Sequence, residues 1–258
     1  MTTLKDTTFL IPVRIDSSYR IENLEIIIKY LKKYFDTNIS VLESDAKPYA
    51  SDFVKKNSHY TFTTSKDPVF RHSEINNRMI WRCLTPIGII YDADVIVSPS
   101  QLETSISLIR SNKYSFAYPY DGCCMHVDYY NRRLFKEEVE IDFLTTGSSI
   151  YEINTHASVG GCFIFNIAAY KKCGLDNENI EGWGHEDAER AKRINKIGYC
   201  ISRAKGPLYH LYHPRGSNSY FFDEKALAKS YEIYFKTCSL SRDALLNEIS
   251  TWPWSKSI

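Results

Sequence analysis

The segment IGIIYDADV, Ile87 to Val95, limits the folds open to this 258-residue chain more than any other stretch. Gly88 to Tyr91 is a continuous apolar run that stops abruptly at Asp92. A run this short predicts a strand, and because it does not alternate with polar residues it predicts a strand covered on both faces. Strands of that kind belong to largely parallel sheets, whose neighbours are joined by crossover helices.

The flanking sequence supplies those crossovers. Thr7 to Val13 reads as a first strand, and Ile21, Leu24, Ile27, Ile28, Leu31 and Phe35 then recur at helical spacing. Asn38 to Leu42 reads as a second strand running into Glu43 and Asp45, Tyr60 to Thr64 as a third, and Ser73 to Leu84 as a helix. After a sharp turn at Asp92–Asp94, Ser98, Pro99 and Gln101 read as a capping box opening a helix toward Arg110. Beyond it the pattern predicts a strand at Tyr114 to Tyr118, a polar stretch from Arg132 to Asp142, the small-residue run VGGCFIFN from Val159, and a helix from Glu186 to Ile197 closed by Gly198. A strand at Tyr199 to Arg203, the segment PLYHLYHPRGSNS and a helix from Asp223 to Cys238 complete the reading. No repeat or linker divides the chain, so the expectation is one α/β domain over 1–258 with a central, mixed but mostly parallel sheet flanked by helices.

Composition narrows the function. Hydrophobic residues at 43% and charged residues at 24% exclude disorder, collagen and coiled coil as global descriptions. A net charge of +1 leaves no global field to draw the chain onto nucleic acid, so no nucleic-acid partner is expected. Seven cysteines without a CxxC pair indicate neither a disulfide framework nor a zinc ribbon. No apolar run approaches the ~18 residues of a spanning helix, and no secretory leader is evident. The expectation is a cytoplasmic protein, at most peripheral at the inner membrane face through Trp252 and Trp254. Aromatic residues reach 14%, with 19 tyrosines, which suits core packing as well as surfaces that stack sugars or bases.

Three groups of residues carry chemistry. Asp92 and Asp94 end a buried strand, where ligands bind in open α/β sheets. A turn brings both carboxylates toward one Mg²⁺ or Mn²⁺, although aspartates also serve as turn and cap residues. In GWGHEDAE, Trp183 lies between Gly182 and Gly184 and is followed by Glu186, Asp187 and Glu189. Acids in a first helical turn suit the helix dipole, while a flat ring beside carboxylates suits a sugar and its hydroxyl protons. His210 and His213 follow three apart, each a structural histidine or a ligand alongside carboxylates; the absence of HExxH removes a zincin reading.

In this order the pieces resemble the GT-A glycosyltransferases, in the branch of the β-1,4-galactosyltransferases, the polypeptide N-acetylgalactosaminyltransferases and bacterial chondroitin polymerase. Ile11, Pro12, Val13 and Arg14 are similar to the branch's IPxR segment; Phe70, Arg71, His72 and the Asn76/Asn77 pair to the segment contacting uridine. Asp92, Ala93 and Asp94 match DxD, Gly160 and Gly161 the GG before a strand at the donor sugar, and Gly182 to Asp187 match GWGxED. The resemblance implies a GT-A fold with a nucleotide-binding half at about 1–100, a donor- and acceptor-sugar half at about 101–222 and a helical segment at 223–258. It implies a nucleotide site of Pro12, Val13, Arg14, Asp45, Phe70, His72, Asp92 and Ala93, and a sugar site of Gly160, Gly161, Trp183 and Gly184. Asp94, assisted by Asp92, would hold Mn²⁺ or Mg²⁺ on the diphosphate, with His210 or His213 as a further ligand. Asp187 would be the general base, Glu186 orienting the acceptor. His185 and Ala188 depart from the animal galactosyltransferase pattern, which leaves the hexose and the acceptor open.

The implied activity is transfer of a hexose or N-acetylhexosamine from a UDP-sugar to a glycan or lipid-linked glycan, with inversion, in the synthesis of a bacterial surface polysaccharide. The competing expectations are a retaining transferase of the same fold and a non-catalytic protein that binds carbohydrate or a partner.

Overall fold

The apolar run becomes a strand of five fully buried residues, Ile87–Tyr91. In the computed structural model, which describes residues 1–147 and 151–256, the elements up to the turn are β1 (Thr2–Val13), α1 (Ser18–Tyr34), β2 (Phe35–Asp45), α2 (Asp52–Asn57), β3 (His59–Thr64), α3 (His72–Arg82) and β4 (Ile87–Tyr91). After it come β5 (Val95–Val97), α4 (Pro99–Arg110), β6 (Phe116–Tyr118), β7 (Cys124–Val127), α5 (Tyr129–Glu138) and α6 (Ile141–Thr146). The remainder is β8 (Glu152–Thr155), β9 (Cys162–Asn166), α7 (Ile167–Lys172), α8 (Glu186–Ile197), β10 (Ile201–Arg203), β11 (Leu208–Leu211), α9 (Glu224–Ser239) and α10 (Arg242–Thr251).

The main sheet has seven strands in the order β10-β6-β9-β4-β1-β2-β3, and β9 runs antiparallel to both its neighbours while the other pairings are parallel. A second sheet, β5-β11-β7-β8, stands beside it. No helix among the described residues is long and apolar enough to cross a membrane.

Helix α1 follows from its pattern: the Ser17 hydroxyl accepts the Arg20 N–H at 3.3 Å, and Leu24, Ile27, Ile28 and Leu31 are buried. Phe35, expected to end this helix, instead begins β2, because the chain passes from helix to strand without a linker. β1 starts five residues before the expected Thr7 and shifts register between Leu4 and Thr8.

At three places the structure adds to or departs from these readings. α4 begins at Pro99, but no capping box forms: the Ser98 hydroxyl lies 2.9 Å from that of Ser100, and Gln101 sends its amide to the carbonyls of Pro119 and Pro207, at 2.7 and 3.1 Å. A buried amide is worth more joining two crossings of the chain than capping one exposed turn. The polar stretch Arg132–Asp142 falls on two helices, α5, capped by Asp128 and anchored by buried Arg132 and Phe135, and the start of α6, with Val139 and Glu140 between them. Trp252 is buried under the Arg193 guanidinium, and half-buried Trp254 donates its indole N–H to the Gly174 carbonyl at 3.2 Å.

The joint between the sheets positions everything that follows. The Asp92 N–H donates to the Gly161 carbonyl at 2.9 Å, ending β4 beside the start of β9. The chain then turns into β5, whose Val97 carbonyl accepts the Tyr30 hydroxyl of α1 at 2.8 Å. The Leu211 N–H donates to the Asp94 carbonyl at 2.7 Å, drawing the end of β11 onto the turn.

Candidate active site

Where the carboxyl ends of β1 and β4 meet the second sheet, a cleft of about 670 Å³ opens, a size usual for small-molecule sites. Its lining includes Pro12, Val13, Arg14, Phe70 and His72, then Asp92, Ala93 and Asp94, and also Gly160, Gly161, Trp183, Glu186 and Asp187. His210 and His213 line it too.

Asp94, His210 and His213 each present a ligand atom, and the three atoms lie within 4.8 Å of one another. His213 Nε2 stands 3.2 Å from Asp94 Oδ2 and His210 Nε2 3.7 Å from Oδ1. His210 lies on β11 itself, and His213 follows two residues after the strand. Burial lowers the His210 imidazole to about 4, so it is neutral at pH 7 and free to donate a lone pair. Its Nδ1 is buried with no hydrogen-bond partner. Burial works to raise the Asp94 carboxyl, but His210, His213 and Arg20 outweigh it and hold the group below the ordinary carboxylate range. An anionic oxygen, two imidazoles and an orphaned ring nitrogen fit a divalent cation of the Mn²⁺ type. Asp92 stands outside this trio: its carboxylate lies 3.8 Å from His72 Nε2, an imidazole that burial holds toward its neutral form. Burial, then the charge of Asp94, raises Asp92 well above its usual range.

Also lining the cleft is the start of α8 at Glu186, where the Gly184 N–H donates to Glu186 Oε2 at 2.8 Å. Burial and the neighbouring Asp187 charge push Glu186 up to about 8. Asp187 is bonded to Arg190, which is 2% exposed and reaches the buried Asp176 at 3.2 Å. A Cβ at position 160 would strike Asp187 Oδ2, so glycine there lets the backbone approach the carboxylate; at Gly161 the left-handed φ of 78° requires it. The Trp183 ring is 49% exposed and lies 6.3 Å from the Phe221 ring.

Some expected site residues lie elsewhere. Asp45 is off the cleft, accepting the N–H groups of Ile15 and Ala46. Gly184 is off the lining too, packed against Ser230. Arg14 lines the cleft, but its guanidinium binds the carbonyls of Ser44, Asp67 and Pro68, fastening the loop before Phe70. Asn76 and Asn77 are buried, and both bind Asp176.

Other lining residues carry no signal in the sequence. Arg20 reaches Asp94 Oδ2 at 2.7 Å, although its spacing from Asp16 reads as an exposed helical pair. His126 meets His210 edge-on, with ring centroids 5.1 Å apart, across the parallel β7–β11 pairing. Arg215, Tyr220 and Phe222 come from the loop after His213.

The sheet order and the site at the strand ends decide the fold. It is that of the GT-A glycosyltransferases. A mannosyltransferase from Pyrobaculum calidifontis, solved with GDP-Man and Mn²⁺, superposes with a TM-score of 0.54 at 14% identity, over 95% of this chain and 68% of its own. Glucosyl-3-phosphoglycerate synthase from Mycobacterium tuberculosis, solved with Mn²⁺, UDP and phosphoglyceric acid, gives 0.52 at 11% identity, over 91% and 78%. Residues 144–214 match the family described as the N-terminal domain of galactosyltransferase. That segment contains Gly160, Gly161, Trp183, Glu186, Asp187, His210 and His213. No curated protein sequence matches the chain.

Proposed function

We propose that the protein is a metal-dependent glycosyltransferase that moves a hexose or N-acetylhexosamine from a UDP-sugar to a glycan hydroxyl, with inversion at the anomeric carbon. The observation that carries this reading is that the Asp94–His210–His213 trio and the Glu186–Asp187 pair face one cleft. The two solved neighbours, with nucleotide sugar or nucleotide and Mn²⁺ in their complexes, support it.

In this reading Asp94, His210 and His213 hold Mn²⁺ or Mg²⁺, and Asp92 turns with His72 toward the nucleotide. Bound there, the cation supplies Lewis-acid neutralisation of the leaving diphosphate, worth several kcal/mol. Pro12, Val13, Phe70 and Ala93 form the nucleotide wall, and Gly160, Gly161 and Trp183 flank the sugars. Asp187 takes the proton of the acceptor hydroxyl as its oxygen attacks the anomeric carbon; the bond to the diphosphate breaks and its electron pair leaves with UDP. Glu186 orients the acceptor. A lipid-linked or free glycan of a bacterial surface polysaccharide, elongated on the cytoplasmic side by an enzyme at most peripheral to the membrane, is the setting this chemistry suits.

The test is UDP release over a panel of UDP-hexoses with and without Mn²⁺. One donor should be hydrolysed slowly without acceptor, and only with the metal. Asp94→Ala should abolish Mn²⁺-dependent UDP binding in calorimetry; unchanged affinity would remove the trio from this role. Retention in the product would replace inversion, and UDP binding without turnover on any donor would favour a non-catalytic binding protein.

A further inference from the structure

Arg20 is an arginine at a candidate metal centre that the trio does not need. It stands in the first turn of α1, lines the cleft, and is only 14% exposed. One terminal nitrogen, Nη1, binds Asp94 Oδ2 at 2.7 Å, while Nε reaches Asp16 at 3.4 Å. Nη2 makes no hydrogen bond among the described residues. Asp16 also accepts the Asn218 amide at 3.0 Å, so Arg20 is tethered to the loop that carries His213 to Phe222.

A divalent cation drawn to Asp94, His210 and His213 meets a guanidinium already on the same carboxylate. Two like charges this close repel, and the arrangement holds only if further negative charge arrives between them. A diphosphate supplies that charge, and the planar fork of arginine suits phosphate oxygens better than it suits one shared carboxylate oxygen. The other lining arginine of the nucleotide side, Arg14, has its donors on backbone carbonyls and is not available.

We propose that Arg20 is a diphosphate-binding residue that serves as the counter-ion of Asp94 until the metal and the nucleotide arrive together. The proposal deepens the transferase reading and rests on it. It makes metal and nucleotide binding mutually dependent: Arg20 weakens the cation bound alone and strengthens the pair, and by linkage each ligand reports the same coupling.

The experiment is calorimetry on the full chain with Mn²⁺ alone and with UDP at saturating Mn²⁺. For Arg20→Met, Mn²⁺ alone should bind about tenfold tighter and UDP with Mn²⁺ about tenfold weaker, the scale of losing one charge-assisted contact. UDP affinity equal to or above the unaltered protein's would overturn the proposal and leave Arg20 a counter-ion only. Arg20→Lys guards against misfolding, since it keeps the charge and loses the fork. It should leave Mn²⁺ binding within about twofold of the unaltered chain and weaken UDP severalfold; an undiminished UDP affinity there counts against the fork. An unaltered protein that binds Mn²⁺ but no UDP defeats the transferase reading and this proposal together, whereas normal UDP binding with an indifferent Arg20→Met defeats this proposal alone.

Discussion

Glu186 and Asp187 are adjacent in sequence and differ in environment, and that difference predicts different roles. Asp187 is bonded to the Arg190 guanidinium, whereas Glu186 is buried and pushed up to about 8. Below about pH 8 Glu186 keeps its proton and can donate a hydrogen bond to an acceptor oxygen; above it that donor is lost. Turnover should therefore fall as pH rises through about 8, and Glu186→Gln, whose amide donates at every pH, should flatten that limb at modest cost in rate. A limb that persists in Glu186→Gln would assign it to another group. Asp187→Asn should lower turnover by about 10²-fold or more with UDP binding intact, the range for loss of a positioned base. DxD and GWGxED were legible because they are local patterns whose chemistry survives in one dimension. Arg20 was not, because its partner Asp94 is brought near only by the fold.

At the scale of elements, what the sequence concealed was buried charge. Helix α8 reads as amphipathic from its acids and bases, yet Glu189 and Arg193 are both fully buried and paired at 2.9 Å. The Thr237 hydroxyl of α9 donates to Glu189 at 3.0 Å, and Arg193 donates to the carbonyls of Cys173 and Leu175. A periodicity rule that puts charge on the solvent side misassigns such a face, since nothing in one dimension marks a carboxylate that has found its guanidinium. The missed helix α5 has a related cause. Its cap, Asp128, is an ordinary loop residue until packing of Phe135 makes it a helix start. Glu189→Ala would leave Arg193 buried and unpaired, which costs about 3–5 kcal/mol. Urea unfolding should show the stability extrapolated to water lowered by that amount and the midpoint lowered by that energy divided by the m-value, while an unshifted midpoint would mean that water reaches the pair.

Over the whole molecule, the main sheet was legible because alternating strands and helices leave few ways to order them, and the run at Ile87–Tyr91 marked its buried centre. The second sheet was not, since β5, β7, β8 and β11 are three or four residues each and pair at long range. Yet that sheet makes the site: pairing of β11 with β5 sets His210 opposite Val95, one residue past Asp94. A ligand gripping both sides thus holds together segments from distant parts of the chain, and it binds the folded state only. At a hundred times its dissociation constant such a ligand adds about 2.7 kcal/mol to stability, which for a chain of this size raises the melting temperature by roughly 5–10 °C. UDP with Mn²⁺ should give that rise, EDTA should cancel it, and His210→Ala and His213→Ala should each reduce it without altering the melting of the ligand-free protein by more than a few degrees. Equal shifts in both variants and the unaltered chain would mean that nucleotide and metal bind without joining the two sheets.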